Sequence, residues 1–129
     1  MKPQALAAAV IAASLAGALG LWAANSDSPK LRCTVTDGDT IRCGAERVRL
    51  AALNCPELNH PGGLTAKIAL DRLIGSQPVR LERIGTDRYG RTVARAFVGR
   101  TDLACALIRG GWCRPYMRFG GAAYDHCRP

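Results

Sequence analysis

The stretch that decides the fold covers residues 35–57 and reads VTDGDTIRCGAERVRLAALNCPE. Apolar and polar side chains alternate over residues 32–36 and 40–43, as in half-buried strands. The Asp-Gly-Asp sequence between these two runs is typical of a tight hairpin turn. The Gly44-Ala45 pair can turn the chain again into a third alternating run, residues 47–52. The stretch therefore predicts a three-stranded meander.

Downstream of the meander, the apolar pattern changes its period. Residues 65–73 and 102–109 carry apolar side chains at helical spacing, which predicts two short helices. Residues 79–84 and 92–98 are typical of two further strands. Five short strands with a helix after the third predict an α+β domain, a five-stranded barrel of the oligonucleotide-binding (OB) class with two short helices. The strand count alone also suits other small β folds.

The N-terminal segment has the composition of an export signal. Lys2 precedes an uncharged, Ala-rich run over residues 5–24, as in a signal peptide, although the run is also long enough for a membrane anchor. We expect residues 1–24 to be a signal peptide or an N-terminal anchor, residues 25–30 a linker, and residues 31–129 one domain. Either alternative places the domain outside the cytoplasm, as a secreted or periplasmic protein or at the outer side of the membrane.

Six cysteines in an exported chain predict a disulfide framework. Cys33 and Cys43 lie equally far from Gly38, so a hairpin that turns there places them opposite each other within bridging distance. We predict a Cys33–Cys43 disulfide. The other four cysteines are Cys55, Cys105, Cys113 and Cys127. The pairing of Cys113 with Cys127 is a weaker prediction from proximity in sequence, and a small buried hydrophobic role stays open for any of the four.

The chain is strongly basic, with a formal charge of +8. Lys2 is the only charged residue among the first 24, so the remainder keeps 17 basic residues against 10 acidic ones. Polyanions are the partners to test first, because neutralising phosphates releases counterions and favours binding. The alternative interpretation is that the net charge reports only on solubility.

Carboxylates in the 35–57 stretch are candidates for metal-assisted chemistry. For Asp37 a structural role in the turn is the better explanation, because Asp bonds its own backbone there and the following Gly accepts positive φ. Asp39 has a weaker turn requirement, and with Glu57 and a backbone carbonyl it could bind a hard cation. Pro56 fixes the backbone before Glu57, which could act as a general base on water.

Arg49 and Arg91 are the candidates for binding a phosphate. A planar guanidinium can engage the spread negative charge of a phosphoryl transition state with two hydrogen bonds. The alternative is that arginines in so basic a chain are solvated surface residues, which counting alone favours. The order and spacing of the charged residues favour the functional interpretation.

Five short motifs follow one another along the chain. They are Asp37-Gly38-Asp39-Thr40, Arg49-Leu50, Asn54-Cys55-Pro56-Glu57, Asp87-Arg88-Tyr89-Gly90-Arg91 and Ala106-Leu107-Ile108-Arg109-Gly110-Gly111. In this order they resemble the staphylococcal-nuclease, or thermonuclease, family over roughly residues 32–116. Each motif is weak alone, whereas the ordered set is specific.

This resemblance implies a five-stranded barrel and calcium-dependent hydrolysis of DNA and RNA phosphodiesters to 3′-phosphate products. It implies that Asp39 and the Cys55 carbonyl ligate Ca²⁺, and that Glu57 holds or deprotonates the attacking water. Asn54 occupies the position where the family usually has a second ligating aspartate. Asn keeps an oxygen but loses a charge, so weaker calcium binding is expected.

The resemblance also implies how the substrate is bound. Arg49 and Arg91 would bind and stabilise the reacting phosphate, and Arg88 and Tyr89 resemble residues that contact the terminal phosphate of the substrate. We expect a monomer that acts on single-stranded or frayed DNA and RNA. Because of Asn54, the alternative is a non-catalytic nucleic-acid-binding OB-fold module with salt-dependent binding and no turnover. A disulfide-stapled structural protein is a third interpretation, but it gives no reason for the ordered charged motifs.

Overall fold

The structure is a computed structural model that describes residues 29–129. The predicted signal peptide or anchor, residues 1–24, lies outside the described residues. Within the described range, no helix has both the length and the apolar character needed to cross a membrane. Lys30, the last residue of the predicted linker, pairs with Arg80 in a strand, so ordered backbone pairing starts one residue before the predicted domain boundary.

The elements follow one another as short strands with two helices between them. The strands are β1 Lys30–Leu31, β2 Cys33–Asp37, β3 Thr40–Cys43, β4 Glu46–Leu50, β5 Leu53–Asn54, β6 Val79–Thr86, β7 Thr92–Val98, β8 Thr101–Asp102 and β9 Arg114–Pro115. The helices are α1 Gly63–Ile74 and α2 Leu103–Arg109, and two 3-10 helices follow, Met117–Phe119 and Gly121–Cys127. The five predicted strands and two predicted helices are all present, with their ends shifted by up to two residues.

The main sheet has the strand order expected for the OB class. Its neighbours run β6-β7-β4-β3-β2, with β4 and β7 parallel and the other pairs antiparallel. β1 pairs with β6 at one edge, and only Arg32 separates β1 from β2 at the opposite edge. One bent segment of chain therefore belongs to both edges, which curls the sheet towards a barrel. The fold is an OB-fold-like α+β domain, as predicted.

The β2–β3 hairpin has the predicted register but a different reason for its glycine. Cys33 pairs with Cys43 and the two form the predicted disulfide. Gly38 is not among the glycines with positive φ, so the predicted conformational reason is wrong. A Cβ added to Gly38 would lie 2.8 Å from Ala66 Cβ and 3.0 Å from Cys55 Cβ. Glycine is needed there because α1 and the segment after β5 pack directly on the turn.

The other disulfides join distant parts of the chain, Cys55 with Cys113 and Cys105 with Cys127. The predicted Cys113–Cys127 pairing is therefore wrong. Cys55 directly follows β5 and Cys113 directly precedes β9, and these two strands pair with each other in an antiparallel ladder. This ladder, rather than proximity in sequence, places Cys113 beside Cys55.

The hydrophobic core packs the two helices against the inner face of the sheet. The largest fully buried side chains are Ile41, Val48, Leu50, Leu53, Leu70, Val79, Leu103, Leu107, Ile108 and Cys127. Asp102 caps α2, since its Oδ1 accepts hydrogen bonds from the backbone N–H groups of Ala104 and Cys105 at 3.1 and 3.3 Å. The β2–β3 turn and the loop before β7 extend from this packed core and carry polar side chains.

Candidate active site

A cleft of about 500 Å³ opens beside the β2–β3 turn. Its walls come from this turn, from β4, from the end of β5 with the segment after it, and from Arg91 just before β7. The predicted metal-binding and catalytic residues all line it, namely Asp39, Arg49, Asn54, Cys55, Glu57 and Arg91. The fold thus places side chains from distant parts of the sequence on one concave surface.

Asp39 is a largely buried carboxylate of the cleft. The side chain is 16% exposed, its Oδ1 accepts a hydrogen bond from Thr40 Oγ1 at 3.0 Å, and its Oδ2 lies 3.5 Å from Arg49 Nη1. Burial raises the pKa of Asp39 to about 6, although the Arg49 guanidinium acts in the opposite direction. The protein therefore compensates this negative charge only in part, and a bound cation would complete the compensation.

Asp37 shapes the turn, as predicted, and also lines the cleft. Its Oδ1 accepts a hydrogen bond from the Asp39 backbone N–H at 3.1 Å. This bond fixes the backbone that carries Asp39. Sequence reasoning assigned Asp37 the turn alone and missed its position in the cleft wall.

Arg49 is held in one orientation by three acceptors. Its Nη1 donates to the Leu50 carbonyl at 3.0 Å, its Nη2 donates to the Leu53 carbonyl at 2.7 Å, and Asp39 provides the ion pair. The side chain is 17% exposed. A guanidinium fixed in this way faces the cleft without having to lose side-chain entropy when an anion binds.

Arg91 is fixed by Asp87, four residues before it. Arg91 Nε donates to Asp87 Oδ2 at 2.7 Å, and the Arg91 backbone N–H donates to Asp87 Oδ1 at 3.0 Å. Arg91 Nη1 also lies 3.5 Å from Thr40 Oγ1, which joins it to the β2–β3 turn. Burial acts to raise the pKa of Asp87, but hydrogen bonds from Arg91 and from the Tyr89 backbone keep this pKa below its ordinary value. Sequence reasoning quoted Asp87 in a motif but assigned it no role.

The segment after β5 presents less constrained groups. Asn54 is exposed, whereas Cys55 is buried in its disulfide with Cys113. The Glu57 side chain is 79% exposed, and its Oε2 lies 3.9 Å from His60 Nδ1. Glu57 therefore meets the cleft as a solvated carboxylate that is accessible to water.

Arg88 and Tyr89 do not line the cleft but border it. Both are exposed, Arg88 Nη2 donates to the Tyr89 hydroxyl at 2.7 Å, and the Arg91 Cζ lies 5.4 Å from the centre of the Tyr89 ring. Tyr116, by contrast, lines the cleft and was not assigned to it from sequence. The signal for Tyr116 was the alternation of arginines with aromatic residues over residues 112–119.

Fold and cleft together define a class of protein: an OB-fold-like domain with a buried carboxylate, two fixed arginines and an exposed glutamate around one cleft. The staphylococcal nuclease homologue family matches residues 47–127, from the second residue of β4 to the end of the second 3-10 helix. The chain belongs to this family.

Curated relatives include proteins named as endonucleases. The chain is 31% identical over 90 residues to an uncharacterized endonuclease of Haemophilus influenzae, covering 66% of this chain and 51% of the relative. It is 37% identical over 99 residues to the succinoglycan biosynthesis protein ExoI of Rhizobium meliloti, covering 67% and 52%. It is 29% identical over 125 residues to the probable endonuclease LCL3 of Uncinocarpus reesii, covering 84% and 39%. The chain spans about half the length of the first two relatives.

Proposed function

We propose that this domain is a calcium-dependent phosphodiesterase that hydrolyses DNA and RNA to 3′-phosphate products. One observation carries the proposal: Asp39, Arg49, Glu57 and Arg91 line a single cleft in which both guanidinium groups are held by hydrogen bonds. The family and its endonuclease-named members support nuclease activity. The cleft supports the finer assignment of roles.

Arg49 and Arg91 bind the reacting phosphate. Both guanidinium groups are already oriented, so their charge acts on the developing negative charge without a reorganisation cost. Donors fixed before the reaction favour the transition state over the more weakly charged ground state. Arg88 and Tyr89, at the rim, contact a neighbouring phosphate of the substrate.

Asp39, Asn54 and the Cys55 carbonyl would hold Ca²⁺. The three donors are oxygens, which Ca²⁺ prefers, and the raised pKa of Asp39 indicates a carboxylate short of countercharge. When bound, the ion would supply positive charge next to the phosphate. Asn54 contributes no charge, so we expect weak calcium affinity.

Glu57 orients water or accepts its proton. Its exposure lets it reach a water molecule that approaches the phosphate from the open side of the cleft. The neighbouring His60, 3.9 Å away, is also exposed and leaves the carboxylate accessible.

We also propose that the domain works outside the cytoplasm. All the cysteines of the described chain are bridged, and disulfides persist in oxidising compartments. Labelling of the protein in intact cells with a thiol reagent checks this. The proposal expects no labelling before reduction, whereas labelling of native protein contradicts it.

The activity is tested with the oxidised full-length protein and single-stranded DNA, in calcium and in chelator. We expect cleavage in calcium only, with 3′-phosphate ends, and a loss of about 10²-fold or more in Glu57→Gln. Glu82→Gln is the matched control, because Glu82 is exposed on β6 and does not line the cleft. Equal cleavage in chelator, or none in millimolar calcium, counts against the proposal.

A second candidate function is nucleic-acid binding without catalysis, which the uncharged Asn54 favours. It expects salt-dependent DNA binding by the natural chain and no cleavage. Asn54→Asp separates the two candidates. If the natural chain cleaves DNA and the variant cleaves it moderately faster, the natural chain is an active enzyme with weak calcium affinity. If only the variant cleaves DNA, the natural chain is a binding module.

A further inference from the structure

A second, larger groove also borders the segment that carries Glu57. Its volume is about 670 Å³, and it shares residues 54–57 with the cleft. Its remaining wall is formed by His60, Gly62, Thr65, Gly111, Trp112, Cys113 and Arg114. One segment of chain therefore lines both concave surfaces, so a ligand that extends beyond the cleft would meet the groove next.

Trp112 forms a flat and rigid wall of this groove. Its ring packs over Gly110, where an added Cβ would lie 1.9 Å from the Trp112 Cζ3 atom. The backbone N–H groups of Trp112 and Cys113 both donate to the Leu107 carbonyl, at 3.1 and 3.3 Å, which fixes the turn after α2. The Trp112 residue is nevertheless 39% exposed. An indole held by a glycine and still open to solvent is suited to stacking on a planar ligand.

Arg114 supplies a cation beside this aromatic surface. It lies opposite Asn54 in the β5–β9 ladder, so it is next to the segment shared with the cleft. Arg114 is exposed and forms no ion pair with any residue from 29 to 129. Arg49, Arg80, Arg83, Arg91 and Arg95 on or beside the main sheet are engaged with carboxylates, whereas this guanidinium is available to an anionic ligand.

We propose that the groove binds the nucleotide next to the one in the cleft, with its base stacked on Trp112 and its phosphate on Arg114. A stacking surface beside a cation is the arrangement that binds single strands with little sequence preference. An unpaired base is required, because the faces of a paired base are covered by its neighbours in the duplex. This inference rests on the proposed function, since it extends the same substrate beyond the cleft.

Binding is tested first, in chelator, where no cleavage interferes. The chain has two tryptophans, so in full-length Trp22→Phe protein Trp112 is the only fluorescent indole. We expect an oligothymidylate of about ten nucleotides to quench this fluorescence, and Arg114→Gln to weaken its binding several-fold. Arg100→Gln is the matched control, because Arg100 lies in the exposed turn between β7 and β8 and does not line the groove. Binding seen by anisotropy without any quenching overturns the groove assignment.

Turnover then distinguishes the groove from the cleft. For Trp112→Ala we expect the ratio of kcat/KM for the ten-nucleotide substrate to that for a thymidine dinucleotide to fall about tenfold, with Trp112→Phe retaining most of it. An unchanged ratio in Trp112→Ala and in Arg114→Gln overturns the groove. Absence of cleavage by the natural chain overturns the proposed function instead, and the quenching experiment still decides whether the groove binds the strand.

Discussion

The charged side chains on the two walls of the cleft differ in how far they are buried and bonded to their neighbours. On the wall formed by the β2–β3 turn, β4 and the residue before β7, which we term the fixed wall, Asp39, Arg49 and Arg91 are mostly buried and each is bonded to its neighbours. On the wall formed by residues 54–59, which we term the loop wall, Glu57 is 79% exposed and its one ion-pair partner, His60, lies 3.9 Å away. Charges that stabilise a transition state benefit from being fixed, whereas a group that handles water benefits from access to solvent.

The largest expected effect comes from loosening the fixed wall. Arg49→Lys replaces a guanidinium that contacts two carbonyls by a single ammonium group, which cannot make both bonds and still face the phosphate. We expect kcat on single-stranded DNA to fall by about 10²- to 10³-fold. Arg42→Lys, on the exposed side of β3, is the control. A loss below tenfold would mean that the fixed orientation of Arg49 is unimportant.

The next prediction disturbs the turn on which the fixed wall rests. Gly38→Ala places a methyl group against Ala66 and Cys55, at distances that require the turn or α1 to move. We expect the free energy of unfolding to fall by about 1–3 kcal/mol. Urea denaturation of the oxidised protein measures this. Gly85→Ala serves as the control, because a Cβ there meets no atom within 4 Å, and equal losses in both variants would contradict the packing explanation.

Asp87→Asn tests whether Arg91 depends on its partner. The variant weakens the bonds that position the guanidinium but leaves Arg91 itself in place. We expect kcat to fall by about tenfold with a small change in the thermal midpoint, and Asp87→Glu to restore part of the activity. Asp71→Asn, exposed on α1, is the control. A variant that loses stability and activity in parallel would indicate a structural role instead.

The smallest expected effect concerns a solvent-accessible ion pair of the main sheet, between Glu46 on β4 and Arg83 on β6. Glu46 on β4 accepts bonds from Arg83 at 2.7 and 2.9 Å and from Thr92 at 2.7 Å, which lower the pKa of Glu46 to about 2. Because the folded pKa lies below the ordinary value of 4.5, the stabilisation is present above about pH 4.5 and is lost as the pH falls towards 2.

The pair is solvent-exposed, so Glu46→Gln should cost only about 0.5 kcal/mol at neutral pH. The difference from the natural chain should vanish near pH 2, which urea denaturation at both pH values measures. Glu82→Gln provides a comparison on β6, the strand that carries Arg83. A cost that stays constant across this pH range would assign the effect to packing rather than to charge.

Sequence patterns predicted what depends on neighbouring residues. Alternation predicted the β2–β3 hairpin, and equal distance from Gly38 predicted the Cys33–Cys43 pairing. The order of the motifs predicted that Arg49 and Arg91 belong to one site, and both residues line the cleft. What the patterns missed depends on pairing between remote segments.

The Cys55–Cys113 disulfide follows from the β5–β9 ladder, whose two-residue strands carry no detectable alternation. The reason for Gly38 lies in α1, a distant element, and not in the local backbone. The groove at Trp112 also needs this ladder, because Arg114 comes next to Asn54 only through it. Each of these features can be predicted only once the tertiary contacts are known.

The order of the three disulfides also determines what happens when a protease cuts the chain. The loops closed by Cys55–Cys113 and Cys105–Cys127 overlap, so one cut anywhere between residues 55 and 127 leaves both pieces covalently joined. The Cys33–Cys43 bridge protects the first hairpin in the same way. Between these regions lie residues 44–54, a tight turn followed by β4, which is flanked by β3 and β7, and β5. Because β4 is covered along both edges, the exposed Gly44-Ala45 turn is the place in this interval where one cut would give two pieces that no disulfide joins.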